Sequence, residues 1–309
     1  MITTSDFSFT NSFKQFLIIP CFNRKSVTLG CLKHLWDLGL FSRFGVILVD
    51  DGSTDGTAEA VAQEFPTVEI LHGTGDLYWT GAIELGMRTA FSRGVSCVVW
   101  LNDDTVVAAG AVEAVVARAE GIGGVVSGQG QIVNQAGKET TYFPLYYRGA
   151  YDLKKVPVNF EQEEVSVDSC RGNLVAVSHR VVETIGYPDG AGIPHVAGDS
   201  DYGLRASKAG LPVRVLTGAL VSELCVVPPI EQSWLLSSTP ITALWKSVFQ
   251  KRNGFYLPMV FVYHTRHWGI AGLAFVMFRY AKLFAFSCLR IFPHSLRIKF
   301  FTKLSKSVN

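Results

Sequence analysis

Two pairs of adjacent carboxylates, Asp50-Asp51 and Asp103-Asp104, are the residues whose type and spacing point most directly to chemistry. The first pair directly follows the apolar run Val46–Val49. The second follows Cys97–Leu101 and Asn102. An ionised carboxylate offers acceptors alone, so Asp50 and Asp51 suit the imide of a base or the hydroxyls of a ribose. Asp103 and Asp104 repel one another, and a hard divalent cation bridging them to a diphosphate would relieve that repulsion. The same cation would neutralise charge on a departing diphosphate. Plainer readings compete. Asp55 can cap the helix that follows it while Gly52 and Gly56 make the turn, and a paired Asp is often a solvated helix start. Position decides for the chemical reading, because both pairs fall where buried strands end.

The elements that must hold these acids alternate. Phe16–Pro20 reads as a strand, followed by a helix over Ser26–Leu38 with Val27, Leu29, Leu32, Leu35, Trp36 and Leu38 at helical spacing. The unit recurs as Val46–Val49 with a helix from Thr57, Val68–Leu71 with a helix over Trp79–Arg93, and Cys97–Leu101 with a helix around Ala108–Glu120. Such alternation predicts an α/β fold with a mostly parallel sheet and helices on both faces. Ligands then bind beyond the carboxyl ends of the strands. After Glu120 the pattern loosens, with strands expected near Gly124–Val126 and Leu174–Val177. A helix over Ser200–Ala209 and strands at Val213–Leu216 and Ala219–Val226 follow, and Pro228-Pro229 marks a boundary.

The chain has 309 residues, 48% of them apolar, enough for a substantial core. Its formal charge of +2 hides an asymmetry: no acid occurs after Glu231, where eleven Lys or Arg do, and Met1–Glu231 carries a net charge of −9. An acidic body and a basic, aromatic tail imply different partners. Cys21, Cys31, Cys97, Cys170, Cys225 and Cys288 lack CxxC spacing, which disfavours a zinc site or disulfide scaffold and favours a reducing compartment. The first fifteen residues lack the basic start and long apolar stretch of a signal peptide, so a cytoplasmic body is expected.

Five ordered segments resemble the family-2 glycosyltransferases: IIPCFNR, VDDGSTDGT, HGTGDLYWTGAIELGMRTA, WLNDDT and HVAGDSDYGLRASKAG, spread across about Leu17–Gly210. The resemblance, which takes in bacterial rhamnosyltransferase-like enzymes of polysaccharide assembly, implies a GT-A nucleotide-sugar-binding fold and inversion at the anomeric carbon. It implies a UDP- or dTDP-sugar donor, a glycan or polyprenyl-linked glycan acceptor, and Mg2+ or Mn2+ as cofactor. Carried over by position, Pro20, Asn23 and Asp51 line the nucleoside pocket with Asp50 beside them. Asp103 and Asp104 match the metal motif, Asp104 as the direct ligand, with Asn102 where many relatives have a first acid. Trp79 and Gly81 centre the stretch beneath the donor, and Arg171 can pair with phosphate. On the acceptor side stand Gly172, Asn173, His195 and Asp201, and Asp199 is the expected base. Gly198 replaces the Glu found before that Asp in many relatives. Asp201 also reads as a helix-start acid able to orient Arg205.

These readings divide the chain into a catalytic part, 1–230, and a helical, basic tail, 231–309. Within the first, about 16–130 binds the nucleotide sugar and about 131–230 faces the acceptor. In the tail the best apolar run, Trp268–Phe278, is too short to span a bilayer, and Arg279 and Lys282 interrupt it. Amphipathic helices lying on an anionic membrane fit better and suggest a place on the inner face of the cytoplasmic membrane, and the resemblance implies a part in lipopolysaccharide or O-antigen assembly. A helical homodimer interface or a cap over the body is the alternative. Nucleic acid is disfavoured by the tail's apolar bulk. A Rossmann epimerase or dehydrogenase needs G-x-G-x-x-G after the first strand, and a P-loop phosphotransferase needs G-K-[ST]; neither is present. A non-catalytic nucleotide-sugar-binding scaffold is the remaining rival.

Overall fold

The computed structural model describes residues 13–133, 140–223 and 234–298. Four strands, β1 (Gln15–Cys21), β2 (Gly45–Asp50), β3 (Glu69–His72) and β4 (Cys97–Leu101), lie parallel in the order β3-β2-β1-β4. Helices α1 (Lys25–Asp37), α2 (Thr57–Glu64) and α3 (Tyr78–Phe91) connect them, and each expected unit forms within a few residues of its predicted bounds.

Side-chain alternation explains why the sheet is covered on both faces. Leu17, Ile19 and Cys21 of β1 join one apolar cluster with α1 and with α4 (Ala111–Ile122), while Phe16 and Ile18 join another with α3. On α1 the buried positions Thr28, Cys31, Leu32 and Leu35 follow helical spacing and form its inner stripe.

Beyond β4 the sheet becomes mixed and continues through β11 (Leu174–Ser178), β6 (Val125–Val133), β12 (Val213–Glu223) and β10 (Glu164–Ser166). β11 runs antiparallel to both β4 and β6, whereas β12 is parallel to β6. The two strands expected at Val213–Leu216 and Ala219–Val226 are one strand, β12, whose register with β6 shifts between Leu216 and Leu220. β5 (Thr105–Val107) pairs with β12, and β7 (Thr140–Tyr142) with β6. A separate hairpin, β8 (Leu145–Arg148) with β9 (Leu153–Val156), occupies the polar middle stretch. Helices α5 (His179–Ile185) and α6 (Gly198–Lys208) follow. The expected Pro228-Pro229 boundary, residues 224–226, the first twelve residues, and Lys299, Lys303 and Lys306 lie outside the described residues.

The tail contains a short helix, Ile241–Ser247, and the 33-residue helix Leu257–Leu289, which by length and composition is apolar enough to cross a membrane. It is not straight. Gly269 has φ 55° and ψ −125°, a conformation that side chains with a Cβ avoid, and the helix breaks there. Past the break the chain returns along itself. Gly272 packs against the carbonyl of His264, Arg279 donates to Gly254 O at 3.3 Å, and the Tyr280 hydroxyl donates to Phe255 O at 2.6 Å. The second arm buries Val276, Leu283 and Phe286 and leaves Ile270, Leu273, Met277, Phe278 and Phe284 exposed.

Candidate active site

A cavity of about 400 Å³ opens beyond the carboxyl ends of the parallel strands. Pro20 from β1, Asp51 after β2, Asn102, Asp103 and Asp104 after β4, and Trp79 from α3 all line it. The turns beneath are pinned to one another: Asp51 N–H donates to Cys21 O at 3.0 Å, and Lys25 N–H to Asp55 at 2.9 Å.

Asp51, 5% exposed, accepts from the backbone N–H groups of Gly75 at 2.8 Å, Leu77 at 3.2 Å and Tyr78 at 2.9 Å. It thereby caps the start of α3 from a neighbouring strand, where a negative charge also meets the helix dipole. Those bonds secure Tyr78 at φ 54°, unusual for an aromatic residue and costing about 1–3 kcal/mol unless its surroundings enforce it. Trp79 follows, donating from Nε1 to Asn102 Oδ1 at 2.7 Å; Asn102 donates in turn to Asn173 at 3.4 Å. Asn102 thus links Trp79 to Asn173, the residue before β11.

The Arg24 guanidinium reaches Asp103 at 2.8 Å and Asp104 at 2.9 Å. Asp103 is 3% exposed and also accepts from Thr28 at 3.0 Å; burial pushes its carboxyl up to about 6, against the pull of Arg24 and Thr28. Asp104 is more open and engages Arg24 through Oδ2. Among the described residues no cluster of three or more His, Cys, Asp or Glu could enclose a metal. The acid pair is nonetheless a hard oxygen donor set that already holds a cationic group. That fits Mg2+ or Mn2+, which commonly bind one or two carboxylates and complete their shell with phosphate oxygens and water.

Asp199 begins α6 on the other side of Trp79. Its Oδ2 accepts from Gly172 N–H at 2.7 Å and its Oδ1 from Ser200 N–H at 2.7 Å. Burial raises its carboxyl above the usual range, with the two N–H donors and Arg171 opposing. Gly172 is wedged between the two side chains: a Cβ there would lie 2.8 Å from the Trp79 ring and 3.2 Å from Asp199 Cβ. Asp199 is therefore not on the cavity lining but behind Gly172, which packs on the lining residue Trp79, while His195 lies on the lining itself, its ring 5.9 Å from that of Tyr78. Gly198 also has a local cause. A Cβ there would meet Thr80 Oγ1 at 2.1 Å, so the acid common in relatives has no room.

Other expected residues stand elsewhere. Asp50, 2% exposed, does not line the cavity; it accepts from Ser53 N–H at 2.9 Å and shapes the turn. Asn23, at φ 51°, accepts from Thr54 N–H at 2.7 Å and ties the first two loops together. Gly81 does not line the cavity; its backbone is approached by Gly190, where a Cβ would lie 2.7 Å from Gly81 Cα. Arg171 stacks on Phe143 at 3.9 Å and, with Asn173, lines a small neighbouring pocket. Asp201 points toward the tail: 1% exposed, it accepts from Arg266 at 2.9 Å and meets His267 Nε2 at 2.8 Å, with Arg205 3.7 Å away. Arg266 also pairs with Asp189, so Asp201 fastens the tail to α6.

Sequence reasoning missed Arg24, Tyr78 and Arg252, all on the cavity lining. Arg24 sits within the quoted IIPCFNR segment beside Asn23, the signal that could have found it. Nothing near Arg252 in the sequence indicates that the tail reaches the cavity.

A parallel half-sheet continued by a mixed one, with acids at the strand ends, defines a GT-A-type glycosyltransferase fold. The model described as "Glycosyl transferase family 2" matches residues 16–178, and the chain belongs to that family. Among solved structures, GalNAc-T7 with UDP, GalNAc and Mn2+ aligns with TM-score 0.58 and 14% identity, over 87% of this chain and 54% of that one. This chain thus spans about half the length of that protein. The mannosyltransferase PcManGT from Pyrobaculum calidifontis, in complex with GDP-Man and Mn2+, aligns with TM-score 0.52 and 16% identity, over 96% and 81%. S. aureus TarS aligns with TM-score 0.51 and 15% identity, over 79% and 45%. At these identities the likeness concerns the fold. No curated protein matches the chain significantly.

Proposed function

We propose that the chain is an inverting, metal-dependent glycosyltransferase. It moves a sugar from a UDP- or dTDP-sugar to a hydroxyl of a lipid-linked glycan during cell-surface polysaccharide assembly. One observation carries the reading: Asp51, Asn102 and Asp104 converge on a single cavity, with Asp199 one glycine away. Pro20, Asp51 and Asn102 hold the nucleoside, and Trp79 offers an aromatic face to the donor. Asp104, with Asp103 behind it, holds the divalent ion, which when bound neutralises charge on the leaving diphosphate. Asp199 takes the acceptor proton as the hydroxyl oxygen attacks the anomeric carbon opposite the diphosphate, so configuration inverts. Its raised carboxyl suits that task, and His195 and Gly172 border the acceptor's approach.

In this reading residues 1–230 are the catalytic part and 231–309 seat the enzyme on the inner face of the cytoplasmic membrane. The exposed stripe Ile270, Leu273, Met277, Phe278 and Phe284 supports that seat, with the tail's basic residues meeting anionic lipid. The test is release of nucleoside diphosphate from a panel of sugar donors, with membrane extract as acceptor source, with and without Mn2+. Metal-dependent release with one donor is expected. Donor binding without turnover would support the scaffold alternative.

A further inference from the structure

We propose that Arg252, brought to the cavity by the tail, receives the diphosphate of the sugar donor; the inference rests on the donor reading above. Three carboxylates and two guanidiniums line the cavity. The carboxylates are already answered: Asp51 by three backbone N–H groups, Asp103 and Asp104 by Arg24. Arg252 is exposed and makes no hydrogen bond or ion pair among the described residues. Its charge nevertheless reaches the site, since His195 is held below its usual range first by burial and then by Arg252. A guanidinium without a carboxylate partner among the described residues, facing a cavity of nucleotide size, calls for an anion that its planar fork can grip, and phosphate oxygens meet that need.

The placement of Arg252 is fixed by its neighbours. Lys251 pairs with Asp76 in the loop before α3 and lies 5.7 Å from the Tyr78 ring. On the other side, Asn253 donates to Ser247 at 2.8 Å and accepts from Phe255 N–H at 2.8 Å. Phe255, 1% exposed, sits in an apolar cluster with Trp234, Leu283 and Phe286. The turn is thus anchored both to the donor loop and to the helical hairpin, with Arg252 between the anchors.

The test is calorimetric titration of the full chain with UDP, UMP and uridine and with their thymidine counterparts, first in EDTA and then with Mn2+. Arg252→Ala should weaken diphosphate binding about tenfold to a hundredfold, the scale of a charge-assisted contact, weaken the monophosphate less, and leave the nucleoside unchanged. Arg252→Lys should recover part of the loss, because it keeps the charge without the fork. Equal diphosphate affinity in wild type and Arg252→Ala overturns this inference alone, as does a uniform loss that includes the nucleoside. Wild type that binds none of these nucleotides overturns the donor reading and this inference together.

Discussion

The cavity has two kinds of wall. The strand-end wall, from β1, β2 and β4, presents acids whose positions follow from a buried parallel sheet and from turns hydrogen-bonded to one another. The other rim comes from His195, just before α6, and from Arg252 in the tail, and these residues are set by packing over long sequence distances. Lys251 and Asp76 are 175 residues apart, and Arg266 reaches Asp201 across 65. The first wall carries groups suited to a nucleotide and a cation. The second brings a basic turn to the same opening and sets the Asp199 carboxylate behind it, against Gly172. A site assembled this way can keep one wall fixed while the other adapts to a different acceptor or surface.

The sharpest way to break this comparison is to remove chemistry from the second wall while sparing the first. Asp199→Asn should lower the transfer rate by about 10²- to 10⁴-fold, the usual worth of a general base, with donor affinity by calorimetry nearly unchanged. Wild-type activity in that variant would relocate the base. The same carboxylate sets a pH limb. The base must be ionised, and burial raises its carboxyl, so the rate should fall with decreasing pH through a midpoint above the ordinary aspartate value of about 3.9. A pH–rate profile limited only near the ordinary value would contradict the burial of Asp199.

Next in size, Phe255→Ala should cost about 3–5 kcal/mol by emptying the cluster behind the basic turn. Denaturant melts measure the loss, and nucleoside diphosphate affinity should fall with it; an unchanged affinity would uncouple the turn from the cavity. Gly198→Ala should cost about 1–3 kcal/mol through overpacking on Thr80. Pairing it with Thr80→Ala in a double-mutant cycle should recover part of that loss, and strict additivity would remove the proposed contact. The smallest change is expected from Asp50→Asn, which keeps an acceptor for Ser53 N–H: about 1 kcal/mol or less in stability, with donor affinity preserved.

The two walls also differ in how far they could be read beforehand. Alternating apolar runs announced the parallel half of the sheet, and because strand ends are local features, Pro20, Asp51, Asn102, Asp103 and Asp104 could be assigned to one opening. Asp50 was read with them, yet adjacent residues at a strand end face different ways, and only Asp51 reaches the lining. The register shift in β12 and the antiparallel placement of β11 depend on pairings with no local signature. Arg24 acts across 80 residues and Arg252 through a hairpin whose fold-back hangs on one glycine. Asp201 looked like a helix-start acid, and its partners Arg266 and His267 lie in a segment that reads only as basic and aromatic.

The reversal at Gly269 makes the tail a lever. Its outer arm carries Ile270, Met277 and Phe278 outward, while Arg279 and Tyr280 of the same arm grip the carbonyls of Gly254 and Phe255, two and three residues from Arg252. The outer arm and the mouth of the site are therefore joined through two backbone carbonyls, and that junction rests on one residue without a side chain.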